Sequence, residues 1–239
     1  IHSKNSMQRF YLERDFSDSF TLSDEWIIHQ LIRVLRSKIG DQVIFLNGDR
    51  SEYLAEIVNL EKKSISFQLR DRFFPQTEPE IEISLYQSLP NKLEKIEYIL
   101  QKWIEIGIRR FFFFRSERSQ KLILSESKIH RLFQIARESV EQCGGVILPE
   151  IFFLNSFSEV IEENNSWVHL LLDTMGEDIR ISNIQKVQNI GIWVGPEWWW
   201  SEVEKVKMRE YDFIFAHFGK RVMRTETAGG MVAFAFMHQ

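Results

Sequence analysis

The most informative part of this sequence is a polar segment near its C-terminal end, which reads Phe218-Gly219-Lys220-Arg221-Val222-Met223-Arg224-Thr225-Glu226-Thr227-Ala228. The segment separates a strand-like run, Asp212 to His217, from an apolar helix-like run, Gly229 to Met237. Charged and hydroxyl side chains between two apolar elements add little to a core, and loops of this kind commonly carry binding or catalytic residues. The segment therefore predicts a functional site.

Two further loops occupy the same position at the end of a predicted strand. Val194-Gly195-Pro196-Glu197 closes one strand, and Leu171-Leu172-Asp173-Thr174 closes another. In an open α/β sheet, ligands bind beyond the carboxyl ends of the strands. A glycine such as Gly195 lets a ligand approach the main chain, whose polar groups can read an adenine edge. Each loop alone is compatible with an ordinary turn or a surface ion-pair group, but three together predict a shared site.

The composition is that of an ordinary globular protein. The 239 residues allow one or two domains, and the hydrophobic fraction of 44% is typical. The net charge of −4 argues against a broad basic face but leaves room for a local basic groove. One cysteine and six scattered histidines show no ligand spacing, so we expect no metal site. No run reaches the roughly 20 apolar residues of a membrane span, and we expect a cytoplasmic protein.

Four parts of the chain are distinguished by their patterns. Residues 1–6, ahead of Met7, are interpreted as a remnant of expression. Residues 7–73 contain short strands and one helix, which suggests a small β-barrel domain. Residues 74–79 include two prolines and form a linker. Residues 80–239 alternate strands and helices, which predicts an α/β domain with a mostly parallel sheet covered on both faces.

The first domain is predicted to contain one helix. Ser23 is placed at its N-cap and Gly40 at its end. Its inward face is predicted to contain Ile28, Leu31, Ile32 and Leu35. Strands are predicted at Gln42–Leu46, Tyr53–Val58 and Ser64–Leu69.

The second domain is predicted to alternate strands and helices. The predicted strands are Ile81–Leu85, Phe111–Phe114, Glu150–Leu154, Trp167–Leu172, Ile190–Val194 and Phe213–His217. One helix is predicted from the helical spacing of Leu93, Ile96, Leu100, Trp103 and Ile104 and is closed by Gly107, and another is predicted roughly from Lys128 to Gln142. No glycine-rich dinucleotide or P-loop motif is present, which disfavours nicotinamide, flavin and nucleoside-triphosphate enzymes. A small-molecule enzyme on a generic α/β sheet remains a weaker alternative.

Several of these motifs together resemble those of the RsmE family. These are knotted methyltransferases of the SPOUT class that methylate N3 of a uridine in small-subunit (16S) ribosomal RNA. The segments that carry the resemblance are His29–Arg36, Gly40-Asp41, Ser88–Lys92, Gln101–Gly107, Ser116–Ser119, Glu141-Gln142, Leu148–Glu150, Gly195–Glu197 and Phe218–Ala228. The match covers nearly the whole chain.

The resemblance implies a PUA-like RNA-binding domain followed by a SPOUT domain with a C-terminal trefoil knot. It also implies a homodimer and S-adenosyl-L-methionine bound among the knot loops. The candidate cofactor-binding residues are Leu171, Leu172, Asp173, Val194, Gly195, Pro196, Glu197, Phe218, Gly219, Val222, Met223, Arg224, Thr225 and Thr227.

Catalytic roles are predicted for Arg221, Arg224 and Glu226. A guanidinium can stabilise negative charge that develops on the O2–N3–O4 edge of uracil. Glu226 either orients an arginine or accepts the N3 proton. Arg33 and Arg36 are predicted to share one side of the first helix, where they would contact RNA phosphates. The full set of candidate RNA-binding residues is Arg9, Arg33, Arg36, Lys92, Lys102, Arg115 and Arg118.

One departure from the family concerns the residues after Glu197. The family usually has glycines there, whereas this chain has Trp198-Trp199-Trp200. Indoles at 198 and 199 could fill the cofactor pocket or redirect the loop, at a higher cost if those positions need a positive φ. An alternative function is therefore an RNA-binding SPOUT-fold protein with impaired cofactor binding.

Overall fold

The computed structural model describes residues 7–161, 167–178, 184 and 188–238. The predicted remnant at 1–6 lies outside them. The chain forms two compact units: the first comprises Ile1–Glu78 and Val140–Leu148, the second Pro79–Ser139 and Pro149–Gln239. The boundary between the units at Glu78 and Pro79 lies within the predicted linker. Residues 140–148 belong to the first unit, although the prediction places them in the second domain. They are anchored in the first unit, where Glu141 Oε1 accepts a hydrogen bond of 2.7 Å from the Tyr11 amide.

The first unit is built on a five-stranded sheet. Its strands are β1 (Arg9–Tyr11), β2 (Ser19–Leu22), β3 (Gln42–Leu46), β4 (Glu52–Leu60) and β5 (Ile65–Phe73). The strand order is β1-β3-β4-β5-β2, and only the β1–β3 pair is parallel. Phe10, Phe45 and Phe67 are fully buried in its aromatic core. The prediction missed β1 and β2, because they have three and four residues and too little alternation to register as a pattern.

The helix of this unit differs from the prediction at both ends. It begins after Asp24, whose Oδ1 accepts a hydrogen bond of 2.9 Å from the Ile27 amide, so Ser23 is not the N-cap. Helix α1 (Glu25–Ile28) continues as a π-helical turn over His29–Val34. Gly40 has a positive φ of 96° but lies beyond the helix, which ends before Leu35.

The π-helical turn also changes which residues face the core. Ile27 and Leu31 are fully buried, and Leu31 was predicted correctly. Leu35 is 45% exposed, so its predicted place in the core is wrong. A π-helix has more residues per turn than an α-helix, so a 3.6-residue period drifts off the buried face. A turn of this kind leaves no clear mark in the sequence.

The second unit contains a six-stranded, entirely parallel sheet. Its strands are β6 (Glu82–Ser88), β7 (Arg110–Phe114), β8 (Glu150–Leu154), β9 (Val168–Asp178), β10 (Asn189–Val194) and β11 (Ile214–His217). Its helices are α2 (Leu93–Ile104), α3 (Glu126–Cys143, whose last residues belong to the first unit), α4 (Phe157–Ile161), α5 (Glu202–Glu210) and α6 (Thr225–Met237). The strand order is β11-β9-β10-β6-β7-β8, and every pair is parallel.

Helices cover both faces of this sheet, as predicted. Successive residues of a strand point to opposite faces. Leu85 of β6 lies against Gly229 of α6, whereas the neighbouring Tyr86 belongs to a core cluster with Phe157 of α4 and Met208 of α5. The parallel α/β architecture inferred from alternating strands and helices is confirmed. The trefoil knot stays a prediction.

A ladder of stacked aromatic rings crosses the sheet. Phe152, Phe112, Tyr86 and Trp193 occupy paired positions on four adjacent strands, with successive ring centroids 4.7, 4.6 and 4.2 Å apart. Trp193 Nε1 lies 2.9 Å from His169 Nδ1 on β9. Paired aromatic side chains stabilise a sheet and fix its register. The ladder therefore fixes the positions of these four strands relative to one another along the strand direction.

Helix α6 packs unusually close to its neighbours because it carries two glycines. A Cβ atom at Gly230 would lie 1.9 Å from Trp103 of α2, and one at Gly229 would lie 2.4 Å from Leu85. Trp103 Nε1 also donates a hydrogen bond of 3.1 Å to the carbonyl oxygen of Glu226. These contacts fix the first turn of α6 beside the sheet.

Two elements near the predicted site extend further than expected. Strand β9 continues to Asp178 instead of ending at Leu172, and its pairing with β11 shifts between Phe215 and Ala216. Helix α6 begins at Thr225, whereas hydrophobicity placed its start at Gly229. Polar side chains obscured both extensions, because periodicity is visible only where apolar residues repeat.

Candidate functional site

A cavity of about 500 Å³ lies beside residues 172–174 in the middle of β9 and beyond the ends of β10 and β11. The three loops singled out in the sequence all line it. Parallel strands bring their carboxyl ends to one edge of a sheet, which explains why segments far apart in the chain meet here. The lining residues are Lys95, Leu172, Asp173, Thr174, Val194, Gly195, Pro196, Glu197, Trp199, Trp200, Ala216, His217, Phe218, Gly219, Lys220, Arg221, Val222, Met223, Arg224, Thr225, Glu226 and Ala228.

Nearly all the predicted cofactor-binding and catalytic residues are in this lining. Leu171 and Thr227 are the exceptions. Leu171 points into the aromatic core on the other side of its strand. Thr227 lies in the first turn of α6, where its amide donates a hydrogen bond of 2.9 Å to Arg224 O. The side of β9 that Leu171 faces and the residue at which α6 begins decide these two positions, and the sequence defined neither.

The back of the cavity is formed by Trp200 and Gly195. Trp200 is buried, and its Nε1 donates a hydrogen bond of 3.4 Å to the carbonyl oxygen of Leu172. A Cβ atom at Gly195 would lie 2.9 Å from Trp200 Nε1, so the indole needs a glycine beside it. This contact ties the loop after β10 to the middle of β9.

Carboxylates lie inside the cavity and are held by two lysines. Lys205 Nζ lies 2.9 Å from Asp173 Oδ2, and this hydrogen bond raises the pKa of Lys205. Lys95 Nζ lies 2.7 Å from Glu197 Oε1 and 3.6 Å from Glu226 Oε2. The Lys95 ammonium therefore pairs with two carboxylates. The group formed by Lys95, Glu197 and Glu226 carries a formal excess of negative charge.

Glu197 is held in its ionised form. Burial raises its pKa, but hydrogen bonds from Lys95 Nζ and from main-chain amides, including that of Asn91, outweigh burial and lower the pKa below its ordinary value. Its second oxygen, Oε2, is buried and has no hydrogen-bond partner among the described residues. Thr225 Oγ1 is likewise buried without a partner in the described part of the chain.

Cations surround the opening of the cavity. Lys220, Arg221 and Arg224 are all exposed, and we call these three residues together with Trp199 the cavity rim. Arg224 is the N-cap of α6, its side chain is 85% exposed, and its Nη1 lies 3.9 Å from Glu226 Oε1. The cavity is thus acidic inside and basic at its rim.

The two unusual tryptophans do not fill the cavity. The side chains of Trp198 and Trp199 are 65% and 58% exposed, and only Trp199 lines the opening. The Trp199 amide donates a hydrogen bond of 3.0 Å to Pro196 O, closing a turn. Trp199 has a φ of 61°, so the expected need for a positive φ holds at position 199 but not at 198.

The candidate RNA-binding residues of the second unit lie in varied surroundings. Lys92 is exposed at the start of α2, and Lys102 pairs with Glu105 at 2.9 Å. The guanidinium of Arg115 donates to Leu122 O, whereas that of Arg118, which is exposed, donates a hydrogen bond of 3.2 Å to Trp198 O. Arg118 therefore lies beside the loop that forms part of the cavity.

In the first unit, Arg9 differs from Arg33 and Arg36. Arg9 is largely buried, and its Nε lies 2.9 Å from Glu52 Oε1, so its burial and ion pair account for it as a structural residue. Arg33 and Arg36 are exposed. Arg36 has a φ of 53° and lies beyond the helix, so the expectation that it shares a helix side with Arg33 is wrong.

Sequence reasoning missed Lys95, the central cation of the cavity. It lies on α2, about a hundred residues before the loops that it joins. A lysine three residues after Lys92 on an amphipathic helix is indistinguishable from a solvated surface charge. His217 also lines the cavity, and its Nδ1 lies 3.2 Å from Gly219 O.

Metal-binding groups and membrane-spanning helices are both absent from the described ranges. No group of three or more histidine, cysteine, aspartate or glutamate side chains in them could hold a metal ion. No helix among these residues combines the length and apolar character needed to cross a membrane.

Comparison with known proteins identifies the family. The model of an RNA methyltransferase domain matches residues 77–237, and that of an RNA methyltransferase PUA domain matches residues 28–70. Ribosomal RNA small subunit methyltransferase E of Buchnera aphidicola (from Acyrthosiphon pisum) is 30% identical over 92% of this chain and 88% of its own length. The Bacillus subtilis protein of the same name is 26% identical over 93% of both chains.

A solved structure agrees with these relatives. Ribosomal RNA small subunit methyltransferase E from Neisseria gonorrhoeae, bound to S-adenosyl methionine, is 26% identical to this chain, with a TM-score of 0.87 over 97% of this chain and 96% of the other. The likeness confirms the SPOUT fold class and the PUA-like character of the N-terminal sheet. The chain therefore belongs to the RsmE family of ribosomal RNA small subunit methyltransferases.

Proposed function

We propose that this protein transfers a methyl group from S-adenosyl-L-methionine to N3 of a uridine in 16S ribosomal RNA. The observation that carries the proposal is the cavity formed by the middle of β9 and the loops after β10 and β11, acidic within and basic at its rim. Family membership supplies the reaction, and the cavity supplies a place for it. The alternative of impaired cofactor binding relied on indoles filling the pocket, and it has no support in the exposed positions of Trp198 and Trp199.

The residues of the cavity fit the cofactor. S-adenosyl-L-methionine supplies an electrophilic methyl carbon on a positively charged sulfonium, so no metal is needed. The carboxylates of Glu197 and Glu226 outnumber the ammonium of Lys95, which suits a cationic ligand. Apolar side chains such as Leu172, Val194 and Phe218 suit an adenine ring.

Main-chain groups add polar contacts for the cofactor. Among the described residues, the amides of 219–223 donate no hydrogen bond to other main-chain groups. We assign cofactor binding to the predicted residues that line the cavity: Leu172, Asp173, Val194, Gly195, Pro196, Glu197, Phe218, Gly219, Val222, Met223, Arg224 and Thr225.

The acceptor base must be unpaired, because N3 lies on the Watson–Crick edge of uracil. The proton on N3 must leave to solvent water, and negative charge develops on the O2–N3–O4 edge as it leaves. N3 would then bond to the methyl carbon as the bond from that carbon to sulfur breaks, with its electron pair left on sulfur. Arg221 and Arg224 are the exposed guanidinium groups of the rim, and we assign them to stabilise this charge. Their exposure lets them reach a base that arrives from solvent.

Glu226 is assigned to orient Arg224. It lies in the first turn of α6 with its two oxygens 3.9 Å from Arg224 Nη1 and 3.6 Å from Lys95 Nζ. The carboxylate lies between two cations, with one oxygen toward each, and this position allows it to hold the Arg224 side chain. Orientation is therefore the better supported of the two roles left open by the sequence.

RNA binding is assigned to both parts of the chain. We propose that a PUA-like domain at 7–73 uses Arg33 and Arg36, and that a methyltransferase domain at 80–239, after a linker at 74–79, uses the exposed cations Lys92 and Arg118. Lys102, Arg115 and Arg9 are partly buried and have main-chain or carboxylate partners, so they are secondary candidates. Phosphate contacts of this kind position RNA and make affinity depend on salt. We also propose a cytoplasmic homodimer.

The proposal is tested by incubating the protein with unmodified small ribosomal subunits and isotopically labelled cofactor. Mass spectrometry of the digested RNA should detect one labelled 3-methyluridine. Large subunits treated in the same way serve as the control and should remain unlabelled. Label on another atom, or its absence despite measurable cofactor binding, would refute the assignment.

A further inference from the structure

Two exposed tryptophans beside the cavity have no structural purpose that their surroundings explain. Trp198 and Trp199 are each more than half exposed, whereas the adjacent Trp200 is buried. Large exposed indoles are unfavourable in water, and an exposed cluster of them commonly marks a binding surface. Trp199 further adopts a positive φ of 61°, a strained conformation for a residue other than glycine.

The turn that carries the two indoles is held in place from both sides. Trp199 donates its amide to Pro196 O at 3.0 Å, and Arg118 donates to Trp198 O at 3.2 Å. The turn begins at the end of β10, whose position is fixed by the aromatic ladder. The indoles are therefore presented by an ordered element next to the opening of the cavity.

The charges around this surface define what it can accept. The exposed cations Lys220, Arg221 and Arg224 form the rest of the cavity rim, and the guanidinium of Arg118 contacts the turn. The carboxylates of the cavity lie inside and are mostly buried. Exposed aromatic rings among exposed cations match single-stranded nucleic acid, whose bases stack and whose phosphates are negative.

We propose that Trp198 and Trp199 form a stacking platform for unpaired RNA bases at the mouth of the cavity. Trp199, which lines the opening, stacks against the uracil that is methylated, and Trp198 stacks against a neighbouring base. Arg118 fixes the turn and contacts a phosphate. The proposal rests on the proposed function, because it names residues that hold the same substrate. It gives the tryptophans at positions 198 and 199 a role in substrate specificity.

The test compares Trp198→Ala and Trp199→Gly with the parent protein. Glycine at 199 removes the indole and accepts the positive φ, so the variant should fold. Affinity for a fluorescent uridine-containing single-stranded RNA and for unmodified small subunits is measured at several salt concentrations. Each variant should bind RNA about 5- to 150-fold more weakly, the usual effect of losing one stacked base. Affinity for S-adenosyl-L-methionine, measured by calorimetry, should change less than twofold.

Three comparisons separate stacking from a structural role. Trp198→Phe and Trp199→Phe should restore most of the affinity, because an aromatic face remains. The slope of log Kd against log salt should stay the same in the tryptophan variants and become shallower in Arg118→Ala, because stacking releases no counterions. Phe234→Ala removes an exposed aromatic side chain outside the cavity lining and should leave RNA affinity unchanged.

Unchanged RNA affinity in both tryptophan variants would overturn the platform. So would a gain in cofactor affinity without a loss for RNA, since the indoles would then obstruct the cavity. Conversion of a dimer to a monomer, with RNA affinity kept, would place the indoles between two copies of the chain and also refute it. The proposed function is tested separately, by measuring uridine methylation with the parent protein. A parent that methylates uridine while the variants bind RNA normally would refute only the platform.

Discussion

The cavity rim and the packing behind the cavity differ in almost every physical respect. The packing behind it consists of glycines against buried indoles: Gly195 beside Trp200, and Gly230 beside Trp103. Neither glycine can gain a Cβ atom without displacing its neighbour. The rim consists instead of exposed side chains with few contacts, among them Arg224 at 85% exposure.

This difference separates residues that hold the site from residues that act in it. The packing is specified by shape, so changes there should alter stability first and activity only as a result. The rim contributes little to folding, and Trp199 even lowers stability through its positive φ. Residues that reduce stability without structural benefit are expected at functional positions.

The largest expected effect is on activity, in the variant Arg224→Ala. Removal of one group that stabilises developing charge lowers the rate about 100- to 1,000-fold. Stability should change by less than about 0.5 kcal/mol because the side chain is exposed. Methyl transfer to small subunits and thermal unfolding measure the two quantities.

Arg131→Ala is the matched control for this variant. Its guanidinium is also exposed and pairs with a carboxylate, Glu97, at 2.7 Å, but it does not line the cavity. The control should retain normal activity. Parallel losses of activity and melting temperature in Arg224→Ala would contradict a role in the reaction.

For Gly230→Ala we expect the opposite, namely a loss of stability with an effect on activity only as a result. The new methyl group would overlap the Trp103 ring and push α6 from α2, and overpacking of this kind costs about 1–3 kcal/mol or more. The loss should appear in urea unfolding even though alanine favours helices. Gly145→Ala is the control: the nearest atom to its Cβ would be 3.5 Å away, and the substitution should be neutral or slightly stabilising. Equal stability of the two variants would show that α6 adapts freely.

Lys95→Met probes the boundary between the two regions. The pKa of Glu197 is lowered in the folded protein, so its ionised form adds stability above the ordinary value of 4.5, and this stability is lost as the pH falls through the folded pKa. Loss of the Lys95 hydrogen bond should therefore cost about 1–2 kcal/mol at pH 7, and the difference from the parent should shrink below pH 4.5.

The pH dependence distinguishes this pair from a surface ion pair. Lys102→Met removes a lysine that pairs with Glu105 on the exposed side of α2, and should cost less than about 0.5 kcal/mol. Urea unfolding at pH 7 and pH 4 measures both variants. A deficit in Lys95→Met that stays constant across this range would refute the electrostatic account.

The same two regions explain what could be predicted from the sequence. Helix α2 (Leu93–Ile104) was predicted because its apolar residues repeat with helical spacing and Gly107 closes it. The predicted bounds of strand β8 match the structure. The loops after β10 and β11 were found because parallel strands end at one edge of a sheet. In these cases local pattern and tertiary structure agree.

The sequence failed where contacts between distant segments decide the outcome. Lys95 became central only because α2 packs beside the end of β10, and Leu35 left the core because of a π-helical turn. Arg9 is predicted to contact RNA, and the sequence did not show its ion pair with Glu52, which is 43 residues away. At Trp198 and Trp199 the sequence raised the question of a positive φ, but it did not show which position has one or that the indoles point outward.

The smallest expected effect returns to that residue. Trp199→Gly should raise the free energy of unfolding by about 1 kcal/mol, because glycine adopts a positive φ without steric cost. Trp198→Gly is the control: it removes a similarly exposed indole from a position without a positive φ, so it should be neutral or slightly destabilising. Urea unfolding of both variants measures the difference. If Trp199→Gly is no more stable than Trp198→Gly, its indole stabilises the fold, and the separation of the rim from the packing behind the cavity breaks down at this residue.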